Sequence, residues 1–185
     1  MRLTGFRRIL HGWIWVGVAN LFQLMLCVSV IATAHAAKLK QALGELGLRA
    51  PVGRAAAFSF AAASPMLLAF AARSPRNARM SVLSVGVGCF IAPFAEEVLF
   101  RGYMFGQLYR QARWGFWLSA LIPSVLFALG HAYQGNGFWE LAGIFTVTGL
   151  GSLLGCWVYM QWQFNLWVVF GLLFDEPVVG VVRCG

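Results

Sequence analysis

The sequence predicts an all-α protein, a polytopic bundle of about five full transmembrane helices and a partial sixth. Of its 185 residues, 60% are hydrophobic and only 11% are charged, less than half of the roughly 25% that is usual in soluble domains. The mean hydropathy of +0.73 indicates the same class. Apolar runs near the roughly 20 residues that a spanning helix needs recur along the chain. With no internal repeat, residues 1–185 are predicted to form a single membrane-embedded domain.

The charge distribution favours a lipid bilayer over nucleic acid as the partner. The net charge is +8 and the pI is near 10.1, but most cations lie between apolar runs, where they flank spans and face anionic headgroups. No basic stripe interleaved with aromatic residues predicts a nucleic-acid groove. We therefore expect a multi-pass protein of the cell membrane. Its orientation and oligomeric state stay open.

The cysteines predict neither a disulfide framework nor a metal centre. Cys27, Cys89 and Cys156 lie inside apolar segments, and Cys184 is next to the last residue. No CxxC pair or His/Cys cluster with zinc-ligand spacing is present. Buried structural thiols are therefore expected, with no cofactor and no metal.

The first predicted span is Trp13–Ala34, interrupted by the polar residues Asn20 and Gln23. A cleaved signal peptide is the alternative, because Ala34-His35-Ala36 resembles a small-residue cleavage site. The apolar run, at about 22 residues, exceeds the usual 7–15-residue core of a signal peptide, which favours a retained helix. A polar connector, Lys38–Arg54, follows.

The remaining elements follow from hydrophobic runs and helix breakers. The second span is Ala55–Ala72, and a basic turn leads to a third helix from Met80 to about residues 110–113. Pro93 should kink that helix. The later predicted helices are Trp114–His131, Phe138–Met160 and a partial one, Asn165–Phe174, interrupted at Asp175-Glu176-Pro177.

The third helix carries an acidic pair, Glu96 and Glu97, although the chain has only six acidic residues. At about 1.5 Å per residue, Glu96 lies roughly 24 Å from Met80 and roughly 18 Å from Leu108. A charge near the middle of a bilayer costs on the order of 2.5–3.5 kcal/mol and marks a functional site by default. We therefore expect this pair to be the centre of the protein's activity.

Helical spacing separates the two carboxylates. Glu97 and Arg101 are four residues apart on one face and are expected to pair, whereas Glu96 points about 100° away. Glu97 should stay ionised beside Arg101, and Glu96 becomes the candidate general base. A buried ion pair that only fixes helix packing is the alternative, but it accounts for Glu97 and Arg101 and not for Glu96.

His131, at the end of the fourth span, is the second candidate. Phe127 precedes it by one turn on the same face. Alone, an intramembrane histidine is more often a satisfied packing residue than a catalyst. Beside Glu96 on an adjacent helix, it could hold one water molecule while the carboxylate takes a proton.

Two motifs resemble those of the CAAX protease and bacteriocin-processing (CPBP) family of glutamate intramembrane proteases, related to type II CAAX prenyl endopeptidases. Glu96-Glu97-Val98-Leu99-Phe100-Arg101-Gly102 is similar to its EExxxR motif, and Phe127-Ala128-Leu129-Gly130-His131 to its FxxxH motif. The likeness runs from about Ala92 to Leu172, with a family-like core of about 80–174. It implies an intramembrane endopeptidase acting on a peptide or protein substrate. Glu96 would activate water, His131 would help hold it, and Glu97 with Arg101 would form the supporting pair.

The sequence departs from the family at a third motif, HxxxN or HxxxD, thought to stabilise the oxyanion. Leu173 stands where the histidine would fall and Pro177 where the Asn or Asp would fall. Gln161 and Asn165 offer a weaker register. The abrupt break leads us to hypothesise a truncated or frame-shifted C-terminus, which translation of the downstream nucleotides in the other frames would test.

Two further functions stay open. One is a catalytically impaired family member that acts as a membrane binding or immunity-type protein. The other, a proton-coupled transporter with Glu96 and Glu97 as a relay, is weaker because too few spans and no inverted repeat are present.

Overall fold

The computed structural model describes residues 2–36, 38–73 and 86–173, and within these ranges the chain is helical and contains no strand. We number its longer helices α1 to α7: α1 Arg2–Ala34, α2 Leu39–Glu45, α3 Val52–Arg73, α4 86–111, α5 Gly115–Gly130, α6 Phe138–Gln161 and α7 Leu166–Leu173. The predicted all-α class is confirmed.

Three segments of the described chain are long and apolar enough to cross a membrane, namely Gly12–Ala34, Gly115–Gln134 and Phe138–Gln161. They match the first, fourth and fifth predicted spans. The full count of five spans and a partial sixth stays a prediction. The basic residues Arg76 and Arg79 and the predicted break at Asp175-Glu176-Pro177 lie outside the described residues.

Helix α4 runs through the centre of the bundle and is packed by α1, α5, α6 and α7. The buried core against it gathers apolar side chains from almost every element: Cys27, Ile31, Ala42, Leu46, Val98, Phe105, Ala120, Cys156, Tyr159, Leu166 and Val169. A helix enclosed on several sides presents little of its surface to lipid. The acidic pair therefore lies on a helix that is packed on several sides.

The backbone of α4 changes its winding on both sides of the acidic pair. A π-helical turn, Gly86–Ile91, precedes the α-helical stretch Ala92–Glu97, and a second, Val98–Phe105, follows it. Pro93 offers no N–H and its ring crowds the carbonyl four residues earlier, so a wider turn before it gives the ring room. The structure shows this change of winding on either side of Pro93, and the kink predicted there stays a prediction.

The predicted polar connector between the first two spans is a folded element. Its short helix α2 is followed by Gly47, whose φ of +78° and close approach to the Phe164 carbonyl leave no room for a side chain. Three hydrogen bonds tie the connector to the turn between α6 and α7: Leu166 N to Gly47 O, Trp167 Nε1 to Leu48 O and Asn165 Nδ2 to Pro51 O. The connector thus closes one end of the helix bundle.

Candidate active site

Glu97 and Arg101 form the ion pair that the helical spacing predicts. Nη1 of Arg101 donates to Oε1 of Glu97 at 2.5 Å, and the two side chains are 0% and 1% exposed. Two charges removed from water in this way require each other, because an uncompensated buried charge is strongly unfavourable. Both side chains are therefore committed to holding each other inside the bundle.

Two neighbouring helices fix the guanidinium of Arg101. From α5, the ring of Phe127 lies with its centroid 4.9 Å from Cζ, a cation–π contact. From α6, Gly155 is so close that a Cβ built on it would stand 3.0 Å from both Nε and Nη2. The sequence alone connected neither Phe127 nor Gly155 with Arg101. Each lies three residues after a serine of its own helix, Phe127 after Ser124 and Gly155 after Ser152, but this spacing alone did not single them out.

Glu96 has a different environment from its neighbour. It is half-buried, whereas Glu97 is buried. The carbonyl of Ala95, immediately before it, accepts a hydrogen bond from Nε2 of Gln23 on α1 at 3.0 Å. The two adjacent carboxylates therefore point to different surroundings, as their 100° separation on a helix predicts.

His131 caps the end of α5. Its Nδ1 lies 2.8 Å from the carbonyl oxygen of Phe127, and its ring centroid lies 4.4 Å from that of Phe127. A carbonyl oxygen can only accept, so Nδ1 carries the proton in this bond and Nε2 of the neutral ring keeps its lone pair. The half-buried ring is thus held in the tautomer that can accept a hydrogen bond from water.

Phe127 joins the two predicted motifs. Its ring packs edge-to-face on Phe100 of α4 at 5.1 Å, lies over Arg101 and contacts His131. The end of α5 is therefore docked on α4 at the turn that follows the acidic pair. The ring of Phe127 thus contacts both Arg101 and His131, and Arg101 in turn binds Glu97. The catalytic roles of these residues and of Glu96 stay predictions.

Asn165, part of the weaker register for the third motif, has a structural role in the turn that contains it. Asn165 is 4% exposed; its Nδ2 donates to Pro51 O at 3.0 Å and its Oδ1 accepts from Trp167 N at 3.1 Å. These bonds shape the turn between α6 and α7. Leu173 is the last residue of α7, and Pro177 lies outside the described residues.

The thiols of Cys27, Cys89 and Cys156 are free and buried, which confirms the prediction for these three. Cys184 lies outside the described residues. The expectation of a site without metal or cofactor stays a prediction.

Comparison with known proteins identifies the family. Residues 78–173, just over half of the chain, match the family described as type II CAAX prenyl endopeptidase Rce1-like. A 24.3 kDa uncharacterized protein of Escherichia coli is 36% identical over 78 residues, which cover 42% of this chain and 34% of that protein. The aligned part thus spans about a third of that relative's length. No solved structure gives a significant match. The matched segment contains both motifs, and the chain belongs to the Rce1-like family of type II CAAX prenyl endopeptidases within the CAAX protease and CPBP group.

Proposed function

We propose that this protein is an intramembrane endopeptidase in which Glu96 and His131 activate water. The observation that carries the proposal is the separation of the two carboxylates. Glu97 is buried against Arg101, whereas Glu96 is half-buried on a different face of α4. This difference supports a division of roles, in which Glu97 serves the structure of the site and Glu96 exchanges a proton with a substrate-side water.

In the proposed reaction one proton moves twice, first from water to Glu96 and then from Glu96 to the leaving amine. Glu96 takes a proton from the water while the water oxygen attacks the carbonyl carbon of the scissile peptide. The tetrahedral intermediate then expels the amine, which receives the proton from Glu96. His131 supports this through Nε2, which can accept a hydrogen bond from the same water because Nδ1 donates to the Phe127 carbonyl. Family membership supports a peptide or protein substrate presented at the membrane.

Cleavage of a fluorogenic, membrane-presented peptide by the full chain in lipid vesicles tests the proposal. Glu96→Gln and His131→Ala should each lower the rate by about 10²–10⁴-fold, the usual contribution of general acid–base catalysis. Glu140→Gln and His35→Gln are matched controls. Glu140 accepts a bond from the backbone N of Asn136 at the exposed start of α6, and His35 pairs with Glu45 near the connector. Wild-type cleavage in both site variants would refute the proposal.

A catalytically impaired member that acts by binding is the second candidate. The observation that favours it is Leu173 at the position where the family's third motif has a histidine. Loss of one oxyanion donor typically lowers kcat by about 10²–10³-fold. If binding is the function, Glu96→Gln leaves the cellular phenotype intact, whereas substitutions on lipid-facing helix surfaces abolish it. A phenotype lost with Glu96→Gln would exclude this candidate.

A further inference from the structure

Helix α1 lies outside the residues that match the family, yet it packs along α4. A Cβ on Gly17 would be 3.5 Å from the side chain of Val87, and Cys27 and Ile31 of α1 are 3% and 1% exposed. Between these contacts, the half-buried Gln23 reaches across to α4 and donates from Nε2 to the carbonyl of Ala95. It is a polar bridge from a helix outside the matched segment to the residue before Glu96.

The bond falls where α4 changes from α-helical to π-helical winding. The α-helical stretch ends at Glu97, and the N–H of Val98 is directed at both the Phe94 and the Ala95 carbonyls. Where the winding changes in this way, two carbonyls share one N–H donor, and the tilt of each carbonyl is less firmly set than in a regular helix. A second donor from Gln23 fixes the tilt of the Ala95 carbonyl, and the peptide plane that contains this carbonyl also contains the nitrogen of Glu96.

We infer that Gln23 is a positioning residue for Glu96. A glutamine in a spanning helix is unfavourable unless its amide is satisfied by a partner, and here the partner is the backbone of the catalytic helix. Gln23 holds the peptide group before Glu96, so that the carboxylate keeps one direction from the backbone. The inference rests on the proposed function, since it assigns Gln23 a role through Glu96 as the base.

Asn20 provides a matched comparison on the same helix. It is an amide one turn away from Gln23, but its Nδ2 donates to the Val16 carbonyl of its own helix at 2.8 Å. Removing either amide changes the polarity of α1 by a similar amount. Only the removal of Gln23 releases a group on α4.

The test is steady-state cleavage by the full chain in vesicles. Gln23→Met keeps the length of the side chain and removes the donor. It should lower kcat by about 10- to 100-fold, as expected for a misplaced catalytic group, with KM unchanged. Asn20→Leu should keep the wild-type kcat. A Gln23→Met enzyme with the kcat of Asn20→Leu would overturn the inference, as would a loss confined to KM.

A second variant separates hydrogen bonding from packing or misfolding. Gln23→Glu keeps the side-chain length, and its carboxyl can donate to the Ala95 carbonyl only when protonated. Its kcat relative to Gln23→Met at the same pH should therefore rise as the pH is lowered, and a constant ratio would contradict the inference. Glu96→Gln is measured in parallel. If cleavage survives Glu96→Gln, the proposed function fails; if cleavage requires Glu96 but not Gln23, only the present inference fails.

Discussion

Arg101 and Arg110 lie on the same helix and share one kind of support, yet they bind different acceptors. Each guanidinium stacks on a phenylalanine ring, Arg101 on Phe127 with 4.9 Å between Cζ and the ring centroid and Arg110 on Phe164 with 4.6 Å. Arg101 is fully buried and bonds to the carboxylate of Glu97. Arg110 is half-buried and donates to the backbone carbonyl of Glu45.

The difference follows from access to water. Arg110 lines an open cleft of about 410 Å³ together with His35, Gln41, Gly44 and Glu45. Water in such a cleft can solvate a cation, so a neutral carbonyl suffices as its partner. Arg101 lies among apolar helices, where a cation without an anion is strongly unfavourable. Burial of Arg101 therefore accounts for one of the two adjacent glutamates, and the proposed function assigns proton transfer to the other.

Breaking the buried pair should have the largest effect on stability. Arg101→Met leaves Glu97 as an uncompensated buried acid, and the free energy of unfolding should fall by about 3–5 kcal/mol. Glu97→Gln should cost a similar amount, because it leaves the guanidinium without its anion. Denaturant unfolding in detergent micelles measures both changes.

The double variant sharpens this result. Arg101→Met combined with Glu97→Gln removes both charges and should recover much of the stability that either single variant loses. Arg113→Met, at an exposed position just beyond α4, is the control and should change little. Additive losses in the double variant would show that the two residues do not compensate each other.

Substitution of Gly155 tests whether the guanidinium of Arg101 can move from its observed position. Gly155→Ala places a Cβ 3.0 Å from Nε and Nη2, and Glu97 and Phe127 prevent the guanidinium from moving away. Overpacking of this kind should lower the free energy of unfolding by about 1–3 kcal/mol. Gly151→Ala on the same helix meets nothing within 4 Å and should be neutral or stabilising. Equal stability of the two variants would mean that Arg101 can shift without cost.

Local spacing was sufficient to predict the contacts that lie within one helix. The Glu97–Arg101 pair follows from a separation of four residues, and the helices at the first, fourth and fifth predicted spans follow from apolar runs. Family motifs pointed to His131, whose bond to Phe127 is again a four-residue contact.

Contacts between helices could not be predicted, because they depend on helix rotation and register. Gly155 was one of several small residues in the fifth span, and nothing in its local sequence distinguished it from Gly151. Gln23 was noted as a polar interruption, but its partner is 72 residues away. The sequence of the connector indicates a polar segment with helix breakers. The hydrogen bonds that fold it reach the distant turn between α6 and α7. Such pairings are set by tertiary packing, which a hydrophobic pattern does not encode.

Arg110 gives the smallest expected effect and the sharpest check on the comparison. Arg110→Met removes the bond to the Glu45 carbonyl and part of the stack on Phe164. It leaves no buried charge behind, because the acceptor is a neutral backbone carbonyl. The free energy of unfolding should therefore fall by about 1 kcal/mol, well below the loss for Arg101→Met. Arg49→Met, at an exposed position of the connector, controls for the loss of one surface cation. A loss for Arg110→Met as large as that for Arg101→Met would contradict this comparison. Neither burial nor the charge of the acceptor would then explain why α4 pairs one arginine with a carboxylate and the other with a carbonyl.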